Sequence, residues 1–150
     1  MIKINKWTGT VNVGGFKIKP STKITDLPES FEIGQEMIVQ IIRDKVPCKF
    51  SSYAETADNV ETRVNLRFER NELVSVFIHL TDLSKNYIEA DDFYSSTQDR
   101  KQMHLNWLQL KLGKEQGSYS VYKWGKAGVA QDRSDNVHIF LHYQNNSWAR

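Results

Sequence analysis

Side chains able to do chemistry are few in this chain. They are His79, His104, His138 and His142, the single cysteine Cys48, and two close acidic groups, Asp91-Asp92 and Asp132 with Asp135. A nucleophilic cysteine needs an activating neighbour, and Cys48, following Pro47, carries no reactive signature. It reads as a small buried hydrophobe. His138 and His142 share one face of a strand, where four residues separate their Cα atoms by ~13 Å. A regular strand cannot bring both to one ion with bonds of ~2 Å. His79 or His104 could join either, yet no spacing points to it. Asp91-Asp92 precedes a helix and suits its positive end, and Asp132 and Asp135 sit in a turn, where aspartate is common. No phosphate loop, dinucleotide glycine pattern or nucleophile elbow occurs. The sequence thus names no catalytic residue, metal ligand or cofactor, and an enzyme is the least favoured class.

Binding chemistry is better represented. In Tyr119-Ser120-Val121-Tyr122-Lys123-Trp124-Gly125-Lys126, aromatic and basic residues interleave. On a regular strand Tyr122, Trp124 and Lys126 share one face, and Tyr119, Val121 and Lys123 the other. Exposed rings flanked by lysine can anchor a protein partner or stack bases. The candidate binding face is therefore Tyr122, Lys123, Trp124 and Lys126, with His138 and His142 on the paired strand. Trp124 is expected to be partly exposed. The plain alternative puts Trp124 in the core and leaves the lysines solvated.

These residues must be positioned by strands and one helix. Gly14-Gly15 supplies a two-residue hairpin turn, and Pro20 ends the second strand. Residues 21–34 read as loop with a helical turn after Thr25-Asp26. Met37 to Ile42 is a short strand or helix, and Pro47 is expected to disrupt the segment after it. Val60, Thr62, Val64, Leu66 and Phe68 alternate with polar residues, the mark of a half-buried strand. After a tight connection at Arg70-Asn71-Glu72, Leu73 to Leu80 is nearly all apolar and reads as central, covered on both faces. A helix is placed at about 96–112. Ser96 with Asp99 resembles a capping box, with Asp shorter than the usual Glu, Leu105, Leu108 and Leu112 form its apolar stripe, and Gly113 ends it. A strand over 119–130, a turn at Asp132 to Asn136, and a strand over 137–143 complete the order. Asn145 to Arg150 read as tail or loop. The fold class is α+β: an antiparallel sheet of hairpins with one main helix packed on one face.

Length and composition agree with one globular domain over residues 1–150. The lone cysteine precludes an internal disulfide, and neither a leader nor a span of ~20 apolar residues is visible, so a cytoplasmic protein that does not enter membranes is expected. The net charge of +2 divides unevenly. Residues 1–25 carry +5, residues 26–99 carry −8, and residues 100–150 carry +5. Internal neutralisation explains this, as does a two-toned surface that steers a charged partner.

The C-terminal third, with Trp107-Leu108, Lys123-Trp124-Gly125-Lys126, Asp132-Arg133-Ser134 and Ile139 to Tyr143, resembles small uncharacterised bacterial proteins. Some of these look like immunity proteins that neutralise partner toxins. The resemblance covers residues 100–143 and implies a cytoplasmic inhibitor without catalysis. An inhibitor of a nuclease is expected to be acidic, and here only residues 26–99 fit that part. The leading expectation is a protein-binding domain of this immunity type. The alternatives are a nucleic-acid-binding module using the basic N- and C-terminal segments, and a small enzyme with an unrecognised site.

Overall fold

Two-residue turns set the architecture. At Gly14-Gly15, Asp58-Asn59 and Arg70-Asn71 both central residues have positive φ, as a type I′ hairpin turn requires. They join β2 (Val11–Val13) to β3 (Phe16–Ile18), β6 (Asp44–Ala57) to β7 (Val60–Glu69), and β7 to β8 (Glu72–Asp82). The computed structural model describes residues 2–85, 94–113 and 119–146. It is an α+β protein dominated by antiparallel sheet. A small sheet pairs β1 (Lys3–Ile4), β2 and β3. The main sheet runs β4 (Glu32–Ile33), β6, β7, β8, β11 (Val137–Tyr143), β10 (Gly125–Gln131), β9 (Tyr119–Tyr122), with β5 (Met37–Ile41) also on the outer edge of β6. The one long helix among the described residues, α1 (Thr97–Leu112), packs on β10 and β11 and touches β1 and β8.

Period-two alternation assigns the core. Val64 and Leu66 of β7 pair across to Ile78 and Val76 of β8, which pair in turn with Ile139 and Leu141 of β11. These side chains are buried in one cluster with Leu108 and Leu112 of α1 and with Val11, Val13 and Ile18 of the small sheet. Helix and small sheet therefore cover the same face of the main sheet.

Several expectations are corrected. Pro47 does not break the chain; β6 runs through it. The Pro47 carbonyl accepts the amide of Arg70 at 2.9 Å, so its nitrogen, on the same edge, points where β7 has ended and no ladder bond is lost. Residues 119–130 are two strands, β9 and β10, with Lys123 and Trp124 as the turn. Ser96 precedes α1 but makes no side-chain cap bond, because its hydroxyl accepts from Arg100 Nε at 3.1 Å. The fully buried stripe of α1 runs through Arg100, His104, Leu108 and Leu112, while Leu105 is only half-buried. The sheet explains this. β8 and β11 pair only as far as Ile78 and Ile139, and His104 fills the gap beyond. Its Nε2 accepts the Leu80 amide hydrogen at 3.0 Å, and its Nδ1–H donates to Arg100 O at 2.7 Å. The Arg100 guanidinium ties α1 to the β10–β11 turn by donating to Asp135 O at 2.8 Å. Of the segment read as tail or loop, Asn145 and Asn146 are described, and both are held against β8. Asn145 donates to Leu73 O, and Asn146 is buried against Val74 and Ser75.

Candidate functional site

The other face of the main sheet carries the candidate site. Residues that alternate with the core form cross-strand rows across β6, β7, β8, β11, β10 and β9. One row is Phe50, Arg67, Ser75, His142, Lys126 and Val121; the next is Ser52, Asn65, Phe77, Phe140, Gly128 and Tyr119. A third begins Ala54, Arg63, His79 and continues to His138 and Ala130, one step beyond the Ile78–Ile139 pair. Most of these side chains are half-buried or exposed, and only Ser75 and Gly128 are buried. No described element lies over them, since α1 and the small sheet pack in the core cluster opposite. β8 is central, as expected, but among the described residues no element covers its second face.

Rings dominate the middle of this face. Phe140 stacks on His142 at 4.6 Å, and Phe77 meets His138 and His142 edge-on at 5.6 and 5.8 Å. Cations line its margins. The Arg67 guanidinium lies 5.8 Å from the Phe50 ring and pairs with Glu69 at 3.0 Å. Lys126 lies 5.1 Å from the Tyr119 ring. Such contacts hold rings and cations in fixed orientations.

Burial governs the imidazoles. Desolvation pushes the pKa of His142 down to about 4, helped by the positive charge of Lys126. It also lowers His79 and His138, the nearby Asp132 carboxylate partly opposing the shift at His138. The rings are therefore neutral at pH 7. His142 is also oriented. Its Nδ1 lies 2.8 Å from Ser75 Oγ, and the Asn146 amide donates to that same oxygen while its nitrogen lies 3.4 Å from Nδ1. With its oxygen accepting from Asn146, the Ser75 hydroxyl gives its own hydrogen to Nδ1, which puts the ring proton on Nε2. A serine bonded to a histidine has the form of a nucleophile and its base. Here Ser75 is 0% exposed, so its hydroxyl cannot meet a substrate; it serves to aim the ring.

The structure divides the six residues singled out from the sequence. Lys126, His138 and His142 come together on the open face. Lys123 is exposed in the β9–β10 turn. Tyr122 and Trp124 belong to the core side. Trp124 is not partly exposed on a strand: it is 8% exposed in the turn, stacks on Tyr122 at 5.0 Å, and donates from Nε1 to Lys6 O at 2.8 Å. The reason is that the chain reverses at Lys123-Trp124, which turns the indole against residues 6–9. Sequence reasoning missed Phe50, Arg63, Asn65, Phe77 and Phe140, and weighed His79 only as a companion metal ligand, not as part of a binding face. The signal for Phe77 and His79 was present, because they alternate with Val76, Ile78 and Leu80. Phenylalanine on an open face, however, reads as core. Asp91-Asp92 lies outside the described residues, and Asp132 accepts hydrogen bonds from Ser134 and Asn136 within its turn. Among the described residues no group of three or more His, Cys, Asp or Glu is arranged to hold a metal ion. Cys48 is buried, and desolvation raises its thiol pKa.

No helix among the described residues is long and apolar enough to cross a membrane. Comparison with family models, curated proteins and solved structures finds no match to this chain.

Proposed function

We propose that this chain is a non-catalytic cytoplasmic binding protein that docks a protein partner on the open face of its main sheet, an inhibitor of the immunity type. The observation that carries this reading is the ring-rich centre of that face, Phe77, Phe140, His138 and His142, edged by Arg67 and Lys126. Rigid aromatic surface with a charged rim is the composition of interface hot spots. Residues 100–143 resemble small uncharacterised bacterial proteins, some of which look like immunity proteins, and this is in keeping with the same class. The test is co-expression with the protein encoded by the adjacent gene, followed by light scattering and titration calorimetry. A one-to-one complex is expected, weakened ~30-fold by Phe77→Ala or Phe140→Ala, equivalent to ~2 kcal/mol. A complex indifferent to both substitutions would refute docking through this face.

One observation favours a second reading. Lys3, Lys17 and Lys19 line a shallow polar groove on the small sheet, with Asn5, Thr8, Thr10 and Asn12. Beside it Lys6 sits over the ring of Trp7, which is 77% exposed. A lysine groove next to an exposed indole suits single-stranded nucleic acid. That reading requires binding to a labelled oligonucleotide that falls steeply with salt and with Trp7→Ala.

A further inference from the structure

The open face is not uniform. Between the rings of Phe50 and Phe77 it sinks into a hollow of about 510 Å³, which Arg63, Asn65, His79 and His138 also line. The small residues Ser52 and Ala54 pair with Asn65 and Arg63, which leaves the hollow room on the β6 side.

We propose that this hollow is a subsite for a carboxylate carried beside an apolar or aromatic group on the protein partner, with Arg63, Asn65, His79 and His138 as its polar contacts. The proposal rests on the reading of this face as a protein-docking surface and specifies the chemistry of what enters it.

Three observations carry it. First, polar capacity is unused. The Asn65 amide and both ring nitrogens of His138 have no hydrogen-bond partner among the described residues, although both side chains are half-buried. Arg63 makes one ion-pair contact, 3.3 Å from Nη2 to Glu61, and 46% of its side chain is exposed. A guanidinium presents five donors in a fork that matches a carboxylate, so one long contact leaves most of it available. Second, the walls are apolar rings, so whatever the polar groups hold must bring an apolar body with it. Third, the charge is modest. Arg63 is the charged residue of the lining, and its partner Glu61 lies outside it; Arg100 acts on His79 from α1, and Asp132 acts on His138 from the β10–β11 turn. Both imidazoles are neutral at pH 7. The single guanidinium of the lining suits one negative charge better than the two of a phosphate, and it repels a cation. The partner therefore presents an acid here, not the basic site that an acidic inhibitor would cover.

The experiment uses the free protein and phenylacetate as probe, with the histidine rings followed by nuclear magnetic resonance. Saturable shifts are expected at His79 and His138, with phenylacetamide binding at least tenfold more weakly and inorganic phosphate more weakly still. Arg63→Gln should abolish the response while circular dichroism is unchanged, and Asn65→Ala, a second variant should the first not fold, should weaken it several-fold. The subsite is overturned by the absence of saturable shifts at these two rings, by equal binding of the amide, by tighter binding of phosphate, or by an undiminished response in a folded variant. A partner complex retained in Arg63→Gln but lost in Phe140→Ala would overturn the subsite and leave the docking face standing.

Discussion

The indole of Trp124 lies against the backbone of Gly9, so close that a Cβ there would sit 2.6 Å from the ring. Gly9 has φ +72°, a conformation natural to glycine, and the chain turns back beneath the ring. The Tyr143 hydroxyl donates to Gly9 O at 2.8 Å, and its ring meets Trp124 edge-on. The N-terminal hairpin is thus pinned to the β9–β10 turn and to the end of β11. Trp124→Ala should cost ~3–5 kcal/mol of stability, the loss typical of a buried aromatic. Gly9→Ala should also destabilise, by forcing the ring aside and straining the backbone. Urea unfolding measures both, and a near-wild-type midpoint for Trp124→Ala would contradict the packing.

Legibility in the sequence depends on the range of each signal. The pairing of β7 with β8, the alternation of β11 and the extent of α1 depend on residues close in sequence, and the structure contains them within a residue or two. β6 was hidden because its pattern is mixed: Val46 and Cys48 point into a small second cluster with Ile41, whereas Tyr53 points into the main core. Trp124 was misplaced for a different reason. Its environment comes from Lys6 and Gly9, more than a hundred residues away, and no local pattern encodes that contact. Alternation puts His138 and His142 on one face of β11, as the structure has them, but their neighbours on β7 and β8 emerge only from the register.

His104 makes stability depend on pH. It is 1% exposed, and burial pushes its pKa down to about 4, below the ordinary value of 6.5. Below pH 6.5 the unfolded chain takes up a proton that the folded chain refuses until about pH 4, so stability falls as pH drops through that window. The loss from His104 alone should be about 2 kcal/mol between pH 7 and pH 5. The depressed pKa of His142 adds a loss of the same sign. His104→Phe removes the titration and the acceptor for Leu80 N–H together. It should be less stable at pH 7 and should show a flatter profile from pH 7 to 5 by denaturant midpoint. A slope equal to that of the parent would show that His104 is not the titrating group.

The Ser75 and Asn146 contacts predict a tautomer. In the parent, nitrogen shifts of the His142 ring should report the proton on Nε2 at pH 7. Ser75→Ala removes the hydroxyl that Nδ1 accepts from and leaves the ring less constrained. The Nδ1–H form should then become populated, and the stacking on Phe140 should loosen. An unchanged spectrum would mean that the hydroxyl does not set the ring.

The β5–β6 turn carries the last prediction. Ile42 is the first of its two central residues, with φ 54°, and its side chain is 89% exposed. A β-branched residue rarely adopts this left-handed conformation, which crowds its Cβ against the following carbonyl at a cost of about 1–2 kcal/mol. The exposed side chain regains little by packing. Hairpin turns with positive φ at the first central position favour glycine. Ile42→Gly relieves the strain but raises the entropy of the unfolded chain by an amount worth about 0.5–1 kcal/mol. Ile42→Asn tolerates the same backbone with less of that entropic loss. Asparagine should therefore stabilise the protein by about 0.5–1 kcal/mol, and glycine by less. Urea midpoints of the two variants against the parent decide it. Destabilisation by both would show that the Ile42 side chain contributes packing that its exposure conceals.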